Sequence, residues 1–288
     1  MESRFLDVDG FRTHYLDIGN GPVVVLLHGA SLAIDAPSTW TSLMAALASD
    51  FRFIAFDQIG FGLSDMPKDG RLKNRFERVP HALRFLELLG IERASLIGHS
   101  EGAFMAARMA VERPQLAAGV IAITSGGLSP RLGGSADDDW IAASKAAYSY
   151  GADADTEDGF IRQNSILSFA PNSRLDAVLR ANYRRPHTAT LLALFRRFVR
   201  GPNYPDDYLA LQHEHIYPHA EKLPRTLLIW GDSDKTVPVA RAMALQRMLK
   251  KADLHVFARA AHMVMYDREH DFNALVRDWL AAGHRNAG

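Results

Sequence analysis

A Gly-x-Ser-x-Gly pentapeptide with Ser100 at its centre limits this chain to a small number of folds. The pentapeptide GHSEG occupies residues 98–102, after the apolar run at 94–97 and at the start of a helical pattern at 101–112. In so tight a turn, side chains on both sides of the serine would clash, and glycine stands in both places. Such a turn holds a hydroxyl exposed at the carboxyl edge of a sheet, so Ser100 is predicted to be a nucleophile.

Short apolar runs alternate with helical patterns through the first 127 residues. The runs that indicate buried strands are at 23–27, 51–56, 94–97 and 120–124, and the helical patterns between them are at 79–89 and 101–112. This alternation is typical of an α/β fold with a parallel sheet covered by helices on both faces. The opening segment differs, because residues 5–15 turn at Asp9-Gly10 and predict an antiparallel hairpin.

A long helical stretch then interrupts the alternation of strands and helices. Residues 128–222 carry helical periods and turn signals but no convincing strand pattern, whereas apolar strand patterns return at 226–230 and 254–257, before a closing helix at 271–281. An insertion of this length is too long for a bare loop. We therefore expect a core domain made of residues 1–127 and 223–288, with about eight strands, and a helical lid made of residues 128–222.

A serine hydroxyl needs a base, and the base needs an orienting carboxylate, before it reacts at neutral pH. On a sheet with this type of turn, the acid and then the histidine follow the serine along the chain. His262 comes directly after the last strand pattern, at the edge where Ser100 is expected, and is predicted to be the base. Asp232 and Asp234 both follow the strand pattern at 226–230, so the spacing alone leaves two candidates for the acid.

The negative oxygen formed during attack needs two hydrogen-bond donors. The backbone N–H of Glu101 is one candidate, because it lies at the start of a helix directly after the nucleophile. The loop after the strand pattern at 23–27 should supply the other, and we assign it to the backbone N–H of Ala30, with that of Ser31 as the alternative.

Composition excludes several other classes of site. The sequence has no cysteine, which excludes a cysteine nucleophile, a thiolate metal site and a disulfide framework. Its 33 basic and 33 acidic residues give a formal net charge of zero, so no general attraction to nucleic acid or to anionic membranes is expected. The N-terminus lacks the apolar stretch of a secretory signal, and a cytoplasmic location is expected. Neither a metal nor a cofactor is required by the predicted chemistry.

The order of these segments resembles that of the α/β-hydrolase superfamily over nearly the whole chain. The segments that carry the resemblance are His28-Gly29, residues 57–65, the turn at Ser100, residues 231–238 and His262. In that family the acid is the third residue after the glycine that follows the strand, which implies Asp234. The resemblance also implies that Asp57 ends a strand and shapes the loop beyond it, in a structural role.

Within this superfamily, the chain is most similar to the carbon–carbon bond hydrolases that cleave meta-cleavage products of aromatic degradation. Residues 12–22, 124–128 and 173–186 carry this similarity. The last segment implies a substrate-binding arginine at Arg180, or at Arg184 or Arg185. The sequence departs from the family pattern at Ser31, His99 and Met263, where the resemblance implies the acid-binding part of the pocket. We therefore expect these three residues to contact a small-molecule substrate.

Three functions follow as alternatives. The resemblance implies hydrolysis of a C–C bond in a 2-hydroxy-6-oxo-dienoate, with attack by Ser100 or by a water molecule activated through His262. The same triad would also serve a carboxylesterase or lactonase that acts on a small ester. A non-catalytic binding protein on the same fold is the third reading. Dehalogenase and epoxide hydrolase chemistry is disfavoured, because both need a carboxylate nucleophile. The resemblance is also compatible with a homodimer.

Overall fold

The computed structural model of the protein describes residues 2–200 and 214–285. An eight-stranded sheet organises these residues. Its strands are β1 (Ser3–Val8), β2 (Phe11–Ile18), β3 (Val23–Leu27), β4 (Arg52–Phe56), β5 (Ala94–His99), β6 (Ala117–Ile123), β7 (Thr226–Gly231) and β8 (Ala252–Phe257). The spatial order is β1-β2-β4-β3-β5-β6-β7-β8. Strand β2 is antiparallel to β1 and β4, and the other neighbouring strands run parallel. The expected hairpin and parallel sheet are both present.

Helices cover both faces of the sheet. Those that belong to the sequence segments of the core are α1 (Ala36–Leu47), α2 (Arg75–Leu88), α3 (Glu101–Glu112), α8 (Val239–Met248), α9 (Val264–Asp267) and α10 (Glu269–Arg285). The central strands are apolar along their whole length because each faces a layer of helices on both sides. In β3, for example, Val24 and Leu26 pack into one buried cluster, whereas Val25 and Leu27 pack into the other.

Helix α2 begins four residues before the position predicted from its apolar periodicity. The side chain of Asn74 accepts hydrogen bonds from the backbone N–H groups of Phe76 and Glu77, and the side chain of Glu77 accepts one from the backbone N–H of Asn74. This reciprocal capping stabilises a polar first turn. Apolar periodicity does not register such a turn, so it placed the start of the helix too late.

Four further helices lie wholly within the described residues between β6 and β7. They are α4 (Ser135–Tyr148), α5 (Glu157–Ser165), α6 (Ser173–Tyr183) and α7 (Thr188–Arg200), with short 3-10 helices at Gly126–Leu128, Ala152–Asp155 and Tyr217–Lys222. The described part of this insertion contains no strand, in agreement with the sequence pattern. Residues 201–213 of the predicted lid lie outside the described residues. The inserted side chains of Tyr150, Phe160 and Leu175 belong to the same buried cluster as sheet residues, so the insertion packs directly on the core.

The length and apolar character of the helices decide whether any of them could cross a membrane. Among those that the structure describes, none is both long enough and apolar enough to cross a bilayer.

Candidate active site

Ser100 occupies a strained turn between β5 and α3. Its backbone angles are φ 54° and ψ −120°, a region that residues with a side chain rarely adopt. The backbone N–H of Ser100 donates a hydrogen bond of 2.8 Å to the carbonyl of Ile123, at the end of the neighbouring strand. This anchoring offsets the strain and holds the serine at the carboxyl edge of the sheet.

The two glycines of the pentapeptide are required by close backbone contacts. A Cβ atom at Gly98 would lie 2.3 Å from the carbonyl carbon of Gly102. A Cβ atom at Gly102 would lie 2.3 Å from the carbonyl oxygen of Leu27, in β3. Both distances are far below a van der Waals contact, so any larger residue would displace the turn. The physical reason expected for the Gly-x-Ser-x-Gly spacing is therefore visible in the structure.

His262 and Asp234 form a buried pair at the same edge of the sheet. His262 Nδ1 lies 2.9 Å from Asp234 Oδ2, and both side chains are almost completely buried. The other carboxylate oxygen of Asp234 accepts hydrogen bonds from the backbone N–H groups of Thr236 at 2.7 Å and Val237 at 2.9 Å. Because the carboxylate accepts from Nδ1–H, the lone pair of His262 Nε2 is available to accept a proton.

The second candidate acid is placed elsewhere. The carboxylate of Asp232 accepts hydrogen bonds from the Ser233 hydroxyl at 2.7 Å and from the backbone N–H of Arg259 at 3.0 Å, in an exposed position. The structure therefore brings Asp234, and not Asp232, to the imidazole of His262.

His99 is adjacent to Ser100 in the chain and packs against His262. The imidazole rings of His99 and His262 lie 4.7 Å apart between centroids, and Ser100 directly follows His99 in the chain. Across residues 2–200 and 214–285, the only hydrogen bond of the His262 side chain is the one with Asp234. The Ser100 hydroxyl is therefore not bonded to Nε2 in this state. Catalytic hydrogen bonds of this kind often form only when the substrate is bound.

The loop after β3 packs against the turn at Ser100. A Cβ atom at Gly29 would lie 3.1 Å from Ser100 Cβ, so the chain at this point is in van der Waals contact with the nucleophile. Ala30, the first candidate oxyanion donor, is the next residue. The second candidate, Glu101, is the first residue of α3, where backbone N–H groups have no acceptor within the helix. Both predicted donors therefore flank Ser100.

The side chain of Glu101 points into a buried polar network. It forms an ion pair with Arg78 and lies 4.0 Å from Arg75. Arg78 also donates to the amide oxygen of Gln58, and the amide nitrogen of Gln58 donates to the carbonyl of His28 at 2.6 Å. The network links the helix after the nucleophile to the loop before Ala30. It therefore fixes the relative position of the two candidate donors.

His99 is buried and contacts the base rather than an open pocket. Its Nε2–H donates a hydrogen bond of 3.0 Å to the backbone carbonyl of His262, and the Thr124 hydroxyl donates to the same carbonyl at 3.1 Å. Burial lowers the pKa of His99 well below its ordinary value, and nearby His262 lowers it further, so the ring is neutral. The two donors fix the backbone of His262. Sequence reasoning missed Thr124, although its place at the end of β6, between β5 and β7, was a usable signal.

The side chain of Ser31 is hydrogen-bonded to residues of the insertion. Its hydroxyl donates to Asn164 Oδ1 at 3.1 Å and lies 3.0 Å from the hydroxyl of Tyr150. Burial raises the pKa of Tyr150 to about 12, so that hydroxyl stays protonated and also donates to Asn164 at 3.2 Å. These hydrogen bonds of Ser31 hold the insertion on the core, and its expected contact with substrate stays a prediction.

Arg180 lies on the exposed surface of the insertion. Its Nη1 donates to Glu157 at 2.7 Å and to Asp158 at 3.2 Å, and Arg184 donates to Glu157 at 2.7 Å. Hydrogen bonds from Arg184 and Arg180 lower the pKa of Glu157 to about 2, so the carboxylate remains charged. The structure thus places Arg180 in an ion-pair cluster at the surface, and its expected role in binding substrate stays a prediction. Arg185 instead forms an ion pair with the buried carboxylate of Asp35.

Met263 is a buried core residue. Its side chain packs into the large cluster that joins the sheet to the insertion, and its backbone N–H donates to the carbonyl of Leu167 at 2.9 Å. The residue that follows His262 thus contacts the insertion, and its expected contact with substrate stays a prediction.

The insertion also contacts the loop that carries Asp234. Trp140 Nε1 donates to the carbonyl of Thr236 at 2.6 Å. On the same helix, Asp137 pairs with the buried guanidinium of Arg241 at 2.9 Å. These contacts were not predicted from the sequence. They join α4 to the segment that orients the carboxylate.

A metal ion held by the protein needs several acidic, histidine or cysteine side chains close together. Within the part of the chain that the structure describes, no group of three or more His, Cys, Asp or Glu side chains is arranged to hold a metal ion.

Comparison with known proteins agrees with this geometry. A family model described as alpha/beta hydrolase fold matches residues 22–269. A 2-hydroxymuconate semialdehyde hydrolase of Pseudomonas sp. (strain CF600) is 30% identical over 274 residues, which are 94% of this chain and 91% of that protein. A 2-hydroxy-6-oxo-2,4-heptadienoate hydrolase of Pseudomonas putida, strain F1, is 26% identical and covers 97% of this chain and 96% of its own length.

Solved structures show the same fold. A crystal structure of a variant of the meta-cleavage product hydrolase CumD, a protein from Pseudomonas fluorescens IP01, superimposes with a TM-score of 0.80 at 21% identity. The superposition covers 97% of this chain and 98% of that chain.

Proposed function

The chain belongs to the alpha/beta hydrolase family and is a hydrolytic enzyme, and from this premise we propose that Ser100, His262 and Asp234 form its catalytic triad. The buried 2.9 Å pair between His262 and Asp234, beside the turn that carries Ser100, is the observation that supports this assignment most strongly. In the proposed mechanism His262 Nε2 takes the proton of the Ser100 hydroxyl, and Asp234 stabilises the imidazolium that results.

The proposed substrate is a 2-hydroxy-6-oxo-dienoate, cleaved at a C–C bond. The names of the relatives, which are hydrolases of 2-hydroxymuconate semialdehyde and of 2-hydroxy-6-oxo-2,4-heptadienoate, support this substrate class. The dienoate first becomes a ketone in the site. Ser100, or water activated through His262, then attacks the C6 carbonyl. The backbone N–H groups of Ala30 and Glu101 stabilise the oxyanion, and the C5–C6 bond breaks with a dienolate as the leaving group.

We propose that residues 128–222 act as a lid over this site and that residues 1–127 and 223–288 form the catalytic core. Contacts of the insertion with three of the four loops that form the site support the lid. Tyr150 bonds to the loop after β3 through Ser31, Trp140 bonds to the loop with Asp234, and the carbonyl of Leu167 bonds to Met263 beside the base. A movement of the insertion would thus reach each catalytic loop directly.

Ester hydrolysis is a second candidate function, and one observation favours it. Glu157 and Asp158 hold Arg180, and Glu157 holds Arg184, on the exposed side of the insertion, away from the role of binding a substrate carboxylate. An ester without a carboxylate needs no such arginine. The same triad would form an acyl-enzyme at Ser100 and release an alcohol.

Two assays on one preparation separate these functions. We expect the purified enzyme to bleach the chromophore of a 2-hydroxy-6-oxo-dienoate, and to turn over p-nitrophenyl acetate more slowly. Rapid ester turnover with an unchanged dienoate spectrum would replace the C–C function with the esterase function. Failure of both assays, with no fluorophosphonate label on Ser100, would indicate a binding protein. Ser100→Ala serves as the matched control for contaminating activity.

A further inference from the structure

A second serine, histidine and aspartate are hydrogen-bonded in a row across strands β1 and β2 and the end of β4, at one edge of the sheet. The hydroxyl of Ser3 lies 3.0 Å from His14 Nε2, and His14 Nδ1 lies 2.8 Å from Asp57 Oδ2. His14 and Asp57 are completely buried, whereas Ser3 is exposed. The two distances match those of a hydrogen-bonded nucleophile, base and acid.

The buried carboxylate fixes the direction of these hydrogen bonds. Asp57 accepts from the backbone N–H groups of Ala36 and Leu63, each at 2.8 Å. Burial alone would raise the pKa of Asp57, but the hydrogen bond from His14 and the charge of His28 hold it below its ordinary value. The ionised carboxylate therefore accepts from His14 Nδ1–H. Nε2 is left as the acceptor for the hydroxyl of Ser3, as a general base requires.

The position of Ser3 separates it from the proposed active site. Ser3 lies in β1, the edge strand, where it pairs with Leu16, and Ser100 follows β5. Four strand spacings lie between β1 and β5 in the sheet, which corresponds to roughly 19 Å. The ring of Phe5 packs against the ring of His14, with 5.2 Å between the ring centroids. The imidazole is therefore held rigidly beneath an accessible hydroxyl.

We propose that Ser3 is a second acyl-accepting site, in which His14 acts as the base and Asp57 as the orienting acid. The site would accept an acyl or phosphonyl group from a donor with a good leaving group, such as an activated ester or a fluorophosphonate. The Oγ–H bond of Ser3 breaks as Oγ bonds to the donor carbon or phosphorus. His14 Nε2 takes the proton and passes it to the departing phenolate or fluoride, which leaves with the bonding electron pair.

Only activated donors are expected to react. No pair of backbone N–H groups is assigned to stabilise an oxyanion at Ser3, as those of Ala30 and Glu101 are at Ser100. Loss of one such donor slows acyl transfer by a factor on the order of 10²–10³. The proposed modification is therefore much slower than attack by Ser100 and leaves a persistent ester or phosphonate on β1.

The test uses the full-length Ser100→Ala variant, so that the proposed triad cannot react. The variant is incubated with a fluorophosphonate probe, and labelled peptides are quantified by mass spectrometry over time. Ser49, an exposed serine in the same molecule, is the internal reference. We expect Ser3 to be labelled at least about tenfold faster than Ser49, and the label at position 3 to disappear in Ser3→Ala, Ser100→Ala.

A second arm separates activation from simple exposure. The same variant is labelled in urea at a concentration that unfolds it, and there the rates at Ser3 and Ser49 should become equal because His14 is no longer held beside Ser3. Equal rates in the folded protein, or a preference for Ser3 that survives unfolding, would overturn the proposal. Because Ser100 is absent from the experiment, either result leaves the assignment of the main triad unaffected.

Discussion

His99 Nε2 donates a hydrogen bond of 3.0 Å to the backbone carbonyl of His262. This contact joins the residue before the proposed nucleophile, Ser100, to the proposed base, across the gap between β5 and the loop after β8. The Thr124 hydroxyl reaches the same carbonyl at 3.1 Å. The position of His262 is thus set by two donors on its backbone as well as by Asp234 on its ring.

Removal of the Thr124 hydroxyl should therefore lower kcat more than it changes KM. We expect Thr124→Val to reduce kcat about fivefold to tenfold, since a lost hydrogen bond costs about 1 kcal/mol and the imidazole becomes less well placed. Thr124→Ser, which keeps the hydroxyl, is the matched control and should restore kcat. Steady-state kinetics on both variants checks this. An equal loss in both variants would mean that the hydroxyl does not act on His262.

The acid is identified by comparing two neighbouring carboxylates. Asp234→Asn should reduce kcat by about 10³–10⁴, because the amide no longer holds His262 in the tautomer that accepts a proton. Asp232→Asn removes an exposed carboxylate that does not contact the imidazole and should leave kcat within about twofold. Turnover of the dienoate or of p-nitrophenyl acetate measures both. If Asp232→Asn proves the more damaging change, the assignment of the acid is wrong.

The arginines of α6 and its C-terminal end should differ in their effect on substrate binding. Arg180→Gln is expected to change KM for a dienoate less than about threefold, because Glu157 and Asp158 already hold this guanidinium at the surface. Arg185→Gln is expected to raise KM by about tenfold, because it leaves the buried carboxylate of Asp35 without its partner and so disturbs the loop that this residue ends. Its partner, Asp35, ends the loop that begins at Ala30, so Arg185 is the arginine of this segment that adjoins a catalytic loop.

A rise in KM with Arg180→Gln and none with Arg185→Gln would contradict this order. p-Nitrophenyl acetate, which has no carboxylate, is the control substrate: its KM should be unchanged in Arg180→Gln and raised in Arg185→Gln, because the disturbed loop affects both substrates.

Stability should fall in mild acid because of His81. Burial lowers the pKa of this imidazole from 6.5 to about 4, while its Nε2 lies 2.9 Å from the Thr13 hydroxyl. Above pH 6.5 neither the folded nor the unfolded state binds the proton. Between pH 6.5 and 4 the unfolded state binds it more strongly, so acid favours unfolding.

The predicted loss of unfolding free energy from this group is about 1–2 kcal/mol between pH 7 and pH 5. Urea unfolding at the two pH values, for the native protein and for His81→Gln, measures it, because the variant should lack this part of the acid loss. An equal loss in both proteins would show that His81 does not cause it.

The sheet and the turn at Ser100 were predictable because their physical causes are local. A buried parallel strand needs an unbroken apolar run, and the turn needs glycine at positions 98 and 102, so the sequence carries both signals directly. The eight strands and the family were confirmed. The start of α2 was predicted too late, because its first turn is stabilised by polar caps rather than by apolar periodicity.

The contacts of the inserted helices were not predictable in the same way. Whether Ser31 faces a substrate or Tyr150 depends on how α4 and α5 pack, and residues more than a hundred positions apart decide it. Arg180 similarly lies in a segment that resembles the family, but it donates hydrogen bonds to the carboxylates of Glu157 and Asp158 on another helix. Thr124 was missed because a threonine that supports a backbone carbonyl carries no motif, and only its place directly after β6 could have indicated it.

The most direct test of the proposed triad is a double-mutant cycle on Ser100 and His262, measured as kcat/KM for the dienoate. If Ser100 and His262 act as one unit, removing the second after the first costs little more activity. We therefore expect kcat/KM to fall by similar factors, on the order of 10³ or more, in Ser100→Ala, His262→Ala and the double variant. A double variant whose loss is the product of the two single losses, or a His262→Ala variant that keeps most of its activity, would contradict the claim that His262 activates Ser100.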